Sequence, residues 1–263
     1  MWFRKRRRYP WYDSWWLNDY VEARAILERA RPRRVADFEE ALRPLRTDAA
    51  FRVVRLPRVF DADTLDRVRE TVRSLRSHEL NPMETRDFGR SIAHDHPTFL
   101  ALQKEIEERV GDAAGEPVET AYNFLSLYGP GGICRPHLDA PTSKWTLDLC
   151  VDRNVAWPIH VSQVIPWPED DRAVDLGRNW AERIIHNPSL TFEPCVMDPG
   201  EAVLFSGSSQ WHYRDRIPPA PDAFCHLLFF HFIPRGTSAL AQPVNWSRLF
   251  DAPELDVISA KYR

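Results

Sequence analysis

The sequence predicts a mainly β domain, a sandwich or jelly roll, with helices flanking it. From Ala121 onward the short runs "AYNFLSLYG", "KWTLDLCVD", "WPIHVSQVI", "EAVLFSG" and "CHLLFFHFIP" are β-prone and separated by Gly, Pro, Asp and Asn clusters. Upstream of them, apolar residues recur at helical spacing instead. At 263 residues and 43% hydrophobic content, the chain can bury one sizeable core. The expected organisation is a basic, aromatic and helical N-terminal extension over residues 1–50, followed by a jelly-roll domain over 51–263.

Taken in order, Trp16, Tyr20, Ala23, Leu27 and Ala30 follow the stripe of an amphipathic helix, which "RPRR" ends. "FRVVRLPRVF", residues 51–60, is rich in β-branched and aromatic residues and predicts a strand. Asp61 and Asp63 then stand as cap candidates before Leu65, Val68, Val72 and Leu75, which predicts a helix. Residues 78–97 are polar and irregular. A second helix is expected from about Pro97 to Val110, with Phe99, Leu102, Ile106 and Val110 on one face. Between the third and fourth β-prone runs, residues 166–194 are too long for a hairpin loop. Connections of that length form lids and binding loops or stay disordered, and Trp180, Ile184 and Ile185 argue for packed structure here.

The bulk chemistry excludes several classes. A net charge of -3 provides no overall basic field of the sort a dedicated nucleic-acid binder uses. The run Arg4 to Arg8 reads as a solvated terminus, with no aromatic and basic groove elsewhere to confirm nucleic-acid binding. Cys134, Cys150, Cys195 and Cys225 are scattered with no C-x-x-C pair, which argues for reduced thiols in a cytoplasmic protein and against cysteine-held zinc. No apolar stretch supports a signal peptide or a membrane helix, so no membrane partner is expected.

The chemistry concentrates in "GGICRPHLDAP", residues 131–141. If His137 and Asp139 share a strand, their side chains point to the same face and an imidazole and a carboxylate converge. "DPGEAVLFSGSSQWHYRDRIPP" then supplies a tight turn, an apolar strand and His212 at its exit. Two histidines and one carboxylate on one triangular face leave other coordination positions open, the arrangement suited to non-haem Fe(II).

With the Y-G-P-G-G corner before it and the strand "KWTLDLCV" after it, this set resembles the 2-oxoglutarate and Fe(II)-dependent oxygenase superfamily. The closest likeness is to its prolyl-hydroxylase-like branch, over about residues 120–235. The resemblance implies a double-stranded β-helix core with His137, Asp139 and His212 as iron ligands. It also implies 2-oxoglutarate as co-substrate and dioxygen as oxidant, with succinate and carbon dioxide released. Retention of Asp139 favours hydroxylation or a related oxidation over halogenation, because halogenating relatives replace this carboxylate with a small residue. Tyr128, nine residues before His137, matches a family tyrosine close to the co-substrate. Asp148, within an otherwise apolar strand, must face the pocket or find a donor.

The pattern breaks at one place. The family anchors the distal carboxylate of 2-oxoglutarate with Arg or Lys nine to ten residues past the second histidine. Those positions here are Pro221 and Asp222. When the strands are matched instead, Phe224 takes the arginine's place and His226 follows on the face expected to point inward with Leu228 and Phe230. Arg214, Arg216 and Lys144 are the other substitutes, the arginines favoured by their carboxylate-matching fork. His160, His186 and His231 read as structural or surface residues.

In related proteins, the segment before the core strands and the insert form the substrate mouth. Here these carry Arg86, Arg90, Trp167 and Trp180, suited to an anionic or amino-acid-like molecule. A small-molecule substrate is favoured over a protein side chain, because the insert can close over it. A cupin-like metal-binding module without turnover is the alternative, supported by the missing anchor. Nothing in the sequence sets the oligomeric state.

Overall fold

The computed structural model describes residues 14–167 and 179–262. The Arg4 to Arg8 run and residues 168–178 of the insert lie outside the described residues.

The elements in chain order are α1 (Ser14–Ala30), α2 (Val35–Leu42), β1 (Val54–Leu56), α3 (Ala62–Ser74), α4 (Thr85–Phe88), β2 (Arg90–His94), α5 (Pro97–Glu105), α6 (Glu107–Ala114), β3 (Val118–Tyr128), β4 (Cys134–His137) and β5 (Trp145–Arg153). They continue with β6 (Ile159–Val164), α7 (Trp180–Ile185), β7 (Phe192–Cys195), β8 (Ala202–Ser206), β9 (Gln210–Arg214), β10 (Cys225–Pro234), α8 (Trp246–Leu249) and α9 (Asp256–Ser259). The strands form a six-stranded sheet in the order β1-β8-β5-β10-β3-β2 and a four-stranded sheet in the order β4-β9-β6-β7. Every neighbouring pair is antiparallel. The architecture is a double-stranded β-helix, mainly β with flanking helices.

Alternation along the strands sends side chains into two cores. Leu125, Leu147, Leu149, Leu228 and Phe230 face out of the large sheet against Val68, Phe99, Leu102, Ile106 and Val110 of the helices. Tyr128, Cys150, Val203, Phe205, Cys225 and Leu227 face the small sheet, where Ile159 and Val161 meet them. Asp61 caps α3, its carboxylate accepting from the Thr64 N–H at 2.7 Å. The helix expected from Pro97 to Val110 is instead two, broken at Ile106, whose φ of -95° and ψ of 2° leave the helical region. All four apolar residues of its stripe still reach one core, so the break bends the helix without turning its apolar face away.

Strand β2 was hidden in the polar stretch 78–97. It is an edge strand whose Arg90, Ile92 and His94 pair opposite the inward-facing Tyr128, Ser126 and Phe124, so its polarity belongs to the face turned between the sheets. Strand β10 corrects a further expectation. His226 does share a face with Leu228 and Phe230, but that face lies under the helices, and the inward residues are Cys225, Leu227, Phe229 and His231.

Helices α1 and α2 pack with α8 and α9 into a third core containing Tyr20, Leu27, Phe38, Trp246, Phe250 and Ile258. Trp167, expected at the substrate mouth, is buried here, with its ring 4.9 Å from that of Trp16. Phe38 is fully buried between Tyr20, Trp246 and Phe250, with ring centroids 6.0, 5.4 and 4.9 Å away. Phe38→Ala should therefore cost about 3–5 kcal/mol in denaturant unfolding. A cost of only a few tenths of a kcal/mol would mean that this core does not fold with the rest.

Candidate metal centre

Strands β4 and β9 bring His137 and His212, 75 positions apart in sequence, directly opposite one another. Their ring centroids are 4.1 Å apart. Regular pairing lapses between Cys134 and His137, where Pro136 has no N–H to give the ladder. The chain is recaptured two residues past His137, where the Asp139 N–H donates to the Gly207 carbonyl at 2.8 Å. That bond places the Asp139 carboxylate against both rings. Its Oδ1 lies 3.6 Å from His137 Nε2 and its Oδ2 3.9 Å from His212 Nε2. Thr146 Oγ1 donates to Oδ2 at 3.2 Å.

Both imidazoles are held in the same tautomer. His137 Nδ1 donates to the Arg135 carbonyl at 2.8 Å and His212 Nδ1 to the Gln210 carbonyl at 3.0 Å. Each Nε2 is thereby turned to the carboxylate, and a metal bound there would take the place of the His137 Nε2 proton. Three ligand atoms within 4.8 Å of one another are close enough for one first-row cation, with bonds of about 2 Å, to reach them all. The donor set of two nitrogens and one oxygen fits iron.

The electrostatics favour a cation here. Burial works against a charge on His137, but the Cys134 sulfur and the Asp139 carboxylate outweigh it and lift its pKa to about 9. His212 is held well below the ordinary histidine range by burial and by His137. The pair thus holds one positive charge beside the carboxylate and resists a second.

Gly207 is the cradle. A Cβ placed there would run into Asp139 Oδ2, Thr146 Oγ1 and the Ser143 carbonyl. Nothing larger than glycine leaves the carboxylate where it stands.

Around the triad, the structure sorts the remaining candidates. Arg214, two residues past His212 and on the same face, is buried inside, where one guanidinium nitrogen donates to Asp148 Oδ2 at 2.6 Å and another to the Trp157 carbonyl. Asp148 has found its donor. Arg214 stacks over Trp157 at 4.9 Å, and Trp157 meets the buried Tyr128 ring edge-on at 4.7 Å. Arg90 donates to the Tyr128 hydroxyl at 2.7 Å while paired with Glu84 at 2.5 Å, so this arginine reaches the inward side of the large sheet. Arg216 and Arg86 are exposed, and Arg216 donates to the Gly131 carbonyl at 2.8 Å. The His226 ring lies tilted against Phe224 at 4.8 Å on the outward face, and Lys144 is turned to Glu116 at 2.5 Å. Neither points to the triad.

His160 stacks on Tyr213 at 4.6 Å, and His186 is exposed beside Glu182. His231, read from the sequence as structural or surface, is structural rather than surface. It lies buried on the inward face of β10, stacked on Tyr122 at 4.2 Å, and the sequence signal that could have found it was its even spacing from Cys225, Leu227 and Phe229. Burial pushes its pKa down to about 4, with Asp139 and His212 near enough to contribute. Trp180, from the described part of the insert, joins Leu138, Ile184 and Trp211 beside β4.

The sequence matches no protein-family model and no curated protein. Solved structures do share its fold. The non-heme α-ketoglutarate-dependent epimerase SnoN from nogalamycin biosynthesis aligns at a TM-score of 0.55 with 15% identity, over 76% of this chain and 84% of its own. HygX from Streptomyces hygroscopicus, with nickel and 2-oxoglutarate bound, aligns at 0.51 with 12% identity, over 70% and 83%. SnoN in complex with Fe3+, α-ketoglutarate and nogalamycin RO aligns at 0.54 with 15% identity, over 76% and 84%. The shared feature at these identities is the double-stranded β-helix.

Gly207→Ala, which changes no ligand residue but crowds the Asp139 carboxylate, should weaken divalent metal binding by about 10–100-fold in calorimetric titration. An unchanged affinity would show that the loop gives way and that the Asp139 position is not fixed by it.

Proposed function

We propose that this protein is an Fe(II)- and 2-oxoglutarate-dependent oxygenase that oxidises a C–H bond of a small molecule. The observation that carries this reading is the His137, Asp139 and His212 cluster, with both Nδ1 atoms tied back and both Nε2 atoms turned to one carboxylate. Its setting in the same fold as structures that hold iron or nickel with 2-oxoglutarate supports the reading. Bound at the triad, iron with 2-oxoglutarate and dioxygen supplies the oxidation, releasing succinate and carbon dioxide.

The chain's own residues do the positioning. His137, Asp139 and His212 occupy one face and leave the opposite side for co-substrate and substrate. Arg214 takes the distal carboxylate of 2-oxoglutarate, replacing the basic residue missing near the start of β10. Its position two residues from His212, facing the Tyr128 side of the interior, supports this over the exposed Arg216 and the outward His226. Tyr128 and Trp157 form the apolar wall beside it. Arg90, with Phe124 and Phe229, lines the wall on the β2 side, where the substrate enters. The small molecules handled by the fold's solved examples, nogalamycin RO and hygromycin B, support a small-molecule substrate.

With Fe(II), ascorbate and 2-oxoglutarate, the wild type is expected to release succinate slowly alone and faster with substrate, and Asp139→Ala to lose this activity. Arg214→Lys keeps the charge opposite Asp148 but loses the fork. It should raise the 2-oxoglutarate KM about tenfold or more, as expected for one charge-assisted hydrogen bond. Arg216→Ala and His226→Ala should leave that KM unchanged. A wild type that neither binds nor consumes 2-oxoglutarate across a metabolite screen would reduce the protein to a metal-binding module.

A further inference from the structure

Arg214 has a competitor for its attention. Its guanidinium is 2% exposed, the Asp148 carboxylate it binds at 2.6 Å is fully buried, and the two charges cancel. Asp148 Oδ1, the other carboxylate oxygen, is buried with no hydrogen-bond partner among the described residues. A buried carboxylate oxygen without a partner is costly and rare in a folded interior. It also marks a position where a hydrogen can be added without breaking an existing contact.

The proposed function brings a second carboxylate to this one guanidinium. Two carboxylates sharing a single cation in a dry interior are the arrangement in which one of them takes a proton. We propose that binding of the distal carboxylate of 2-oxoglutarate at Arg214 is coupled to the uptake of one proton from solvent by Asp148. The proton adds to Oδ1, the side chain becomes a neutral acid, and its O–H donates to the incoming carboxylate while Arg214 balances the ligand's charge. This inference rests on the assignment of Arg214 as the anchor.

The surroundings leave Asp148 as the group that responds. Arg214 faces it from β9, Cys150 from two residues along its own strand β5, and Cys225 from β10. Its direct neighbours across the sheet are the apolar Val203 on β8 and Phe229 on β10. Tyr128 on β3 faces Arg214, and its phenol is kept protonated by burial. Burial already pushes the Asp148 carboxyl above its ordinary range, with Arg214 pulling it back. A ligand that draws on the guanidinium weakens that pull. The sign follows from linkage. Asp148 is charged in the free protein and neutral in the complex, so 2-oxoglutarate affinity falls as pH rises, by about tenfold per unit for one coupled proton.

The test is calorimetric titration of the nickel-loaded protein with 2-oxoglutarate at pH 7.5, in phosphate and in Tris, whose different ionisation heats report proton uptake. The wild type is expected to take up about one proton per ligand bound. With 2-oxobutanoate, which chelates through the same 2-oxo acid but lacks the distal carboxylate, uptake should vanish. Asp148→Asn should bind 2-oxoglutarate with no uptake and a flat pH dependence, while its nickel affinity stays that of the wild type. Uptake near zero in the wild type, equal uptake with both ligands, or uptake that persists in Asp148→Asn would each overturn the coupling. The ligand comparison is made on the wild type, so it decides the matter even if Asp148→Asn does not fold. Failure of the wild type to bind 2-oxoglutarate at all would instead bring down the oxygenase reading, and the coupling with it.

Discussion

The pairing of His137 with His212 across β4 and β9 constrains everything else in the site. Opposed residues of an antiparallel pair are held a few ångströms apart by the backbone itself, so the two imidazoles need no loop to bring them together. Once they are fixed, the carboxylate must come from a segment that has just left the strand, and the Asp139 N–H bond to Gly207 provides the stop. That stop sits in the turn joining β8 to β9, the strand that carries His212. One hairpin therefore positions the second imidazole and also the carboxylate. Ala140, the next residue, is buried in the core made by α1, α2, α8 and α9, which extends the support to the outer helices.

The interior between the sheets handles charge sparingly. Arg214 and Asp148 satisfy each other, and Arg90 is matched by Glu84 at the edge. Neutralising each arginine where it is buried avoids the desolvation cost of a lone guanidinium. It also means that, among the described residues, neither of these interior arginines is a spare cation. A dianion bound at Arg214, as proposed, would have to rearrange an existing pair.

The triad was legible in the sequence because its signals are local: the H-x-D spacing keeps the two groups close in the chain, although Asp139 is placed by its bond to Gly207 just past β4 and not by strand alternation, and the PGE turn announces the strand before His212. The caps and apolar stripes of α1 and α3 were legible for the same reason. What alternation cannot reveal is which of two apolar faces is the inside. In β10 both faces are apolar, Cys225, Leu227 and Phe229 on one and Leu228, Phe230 and Phe232 on the other, so the pattern assigns His226 inward and leaves the side of His231 open. Strand β2 hid for the converse reason, since its inward face is itself largely polar. Trp167, expected at the substrate mouth, could not be assigned to the outer core from the sequence, because its ring partners Trp16 and Tyr20 lie about 150 positions away.

The three ligands are not equally accessible. The side chains of His137 and Asp139 are 25% and 18% exposed, while that of His212 is 6% exposed. A cation arriving from solvent meets the first two before the third, so loading has a direction. An ion bound at the triad would meet the outer pair first and His212 last, and on leaving would part last from the ligand that water reaches least.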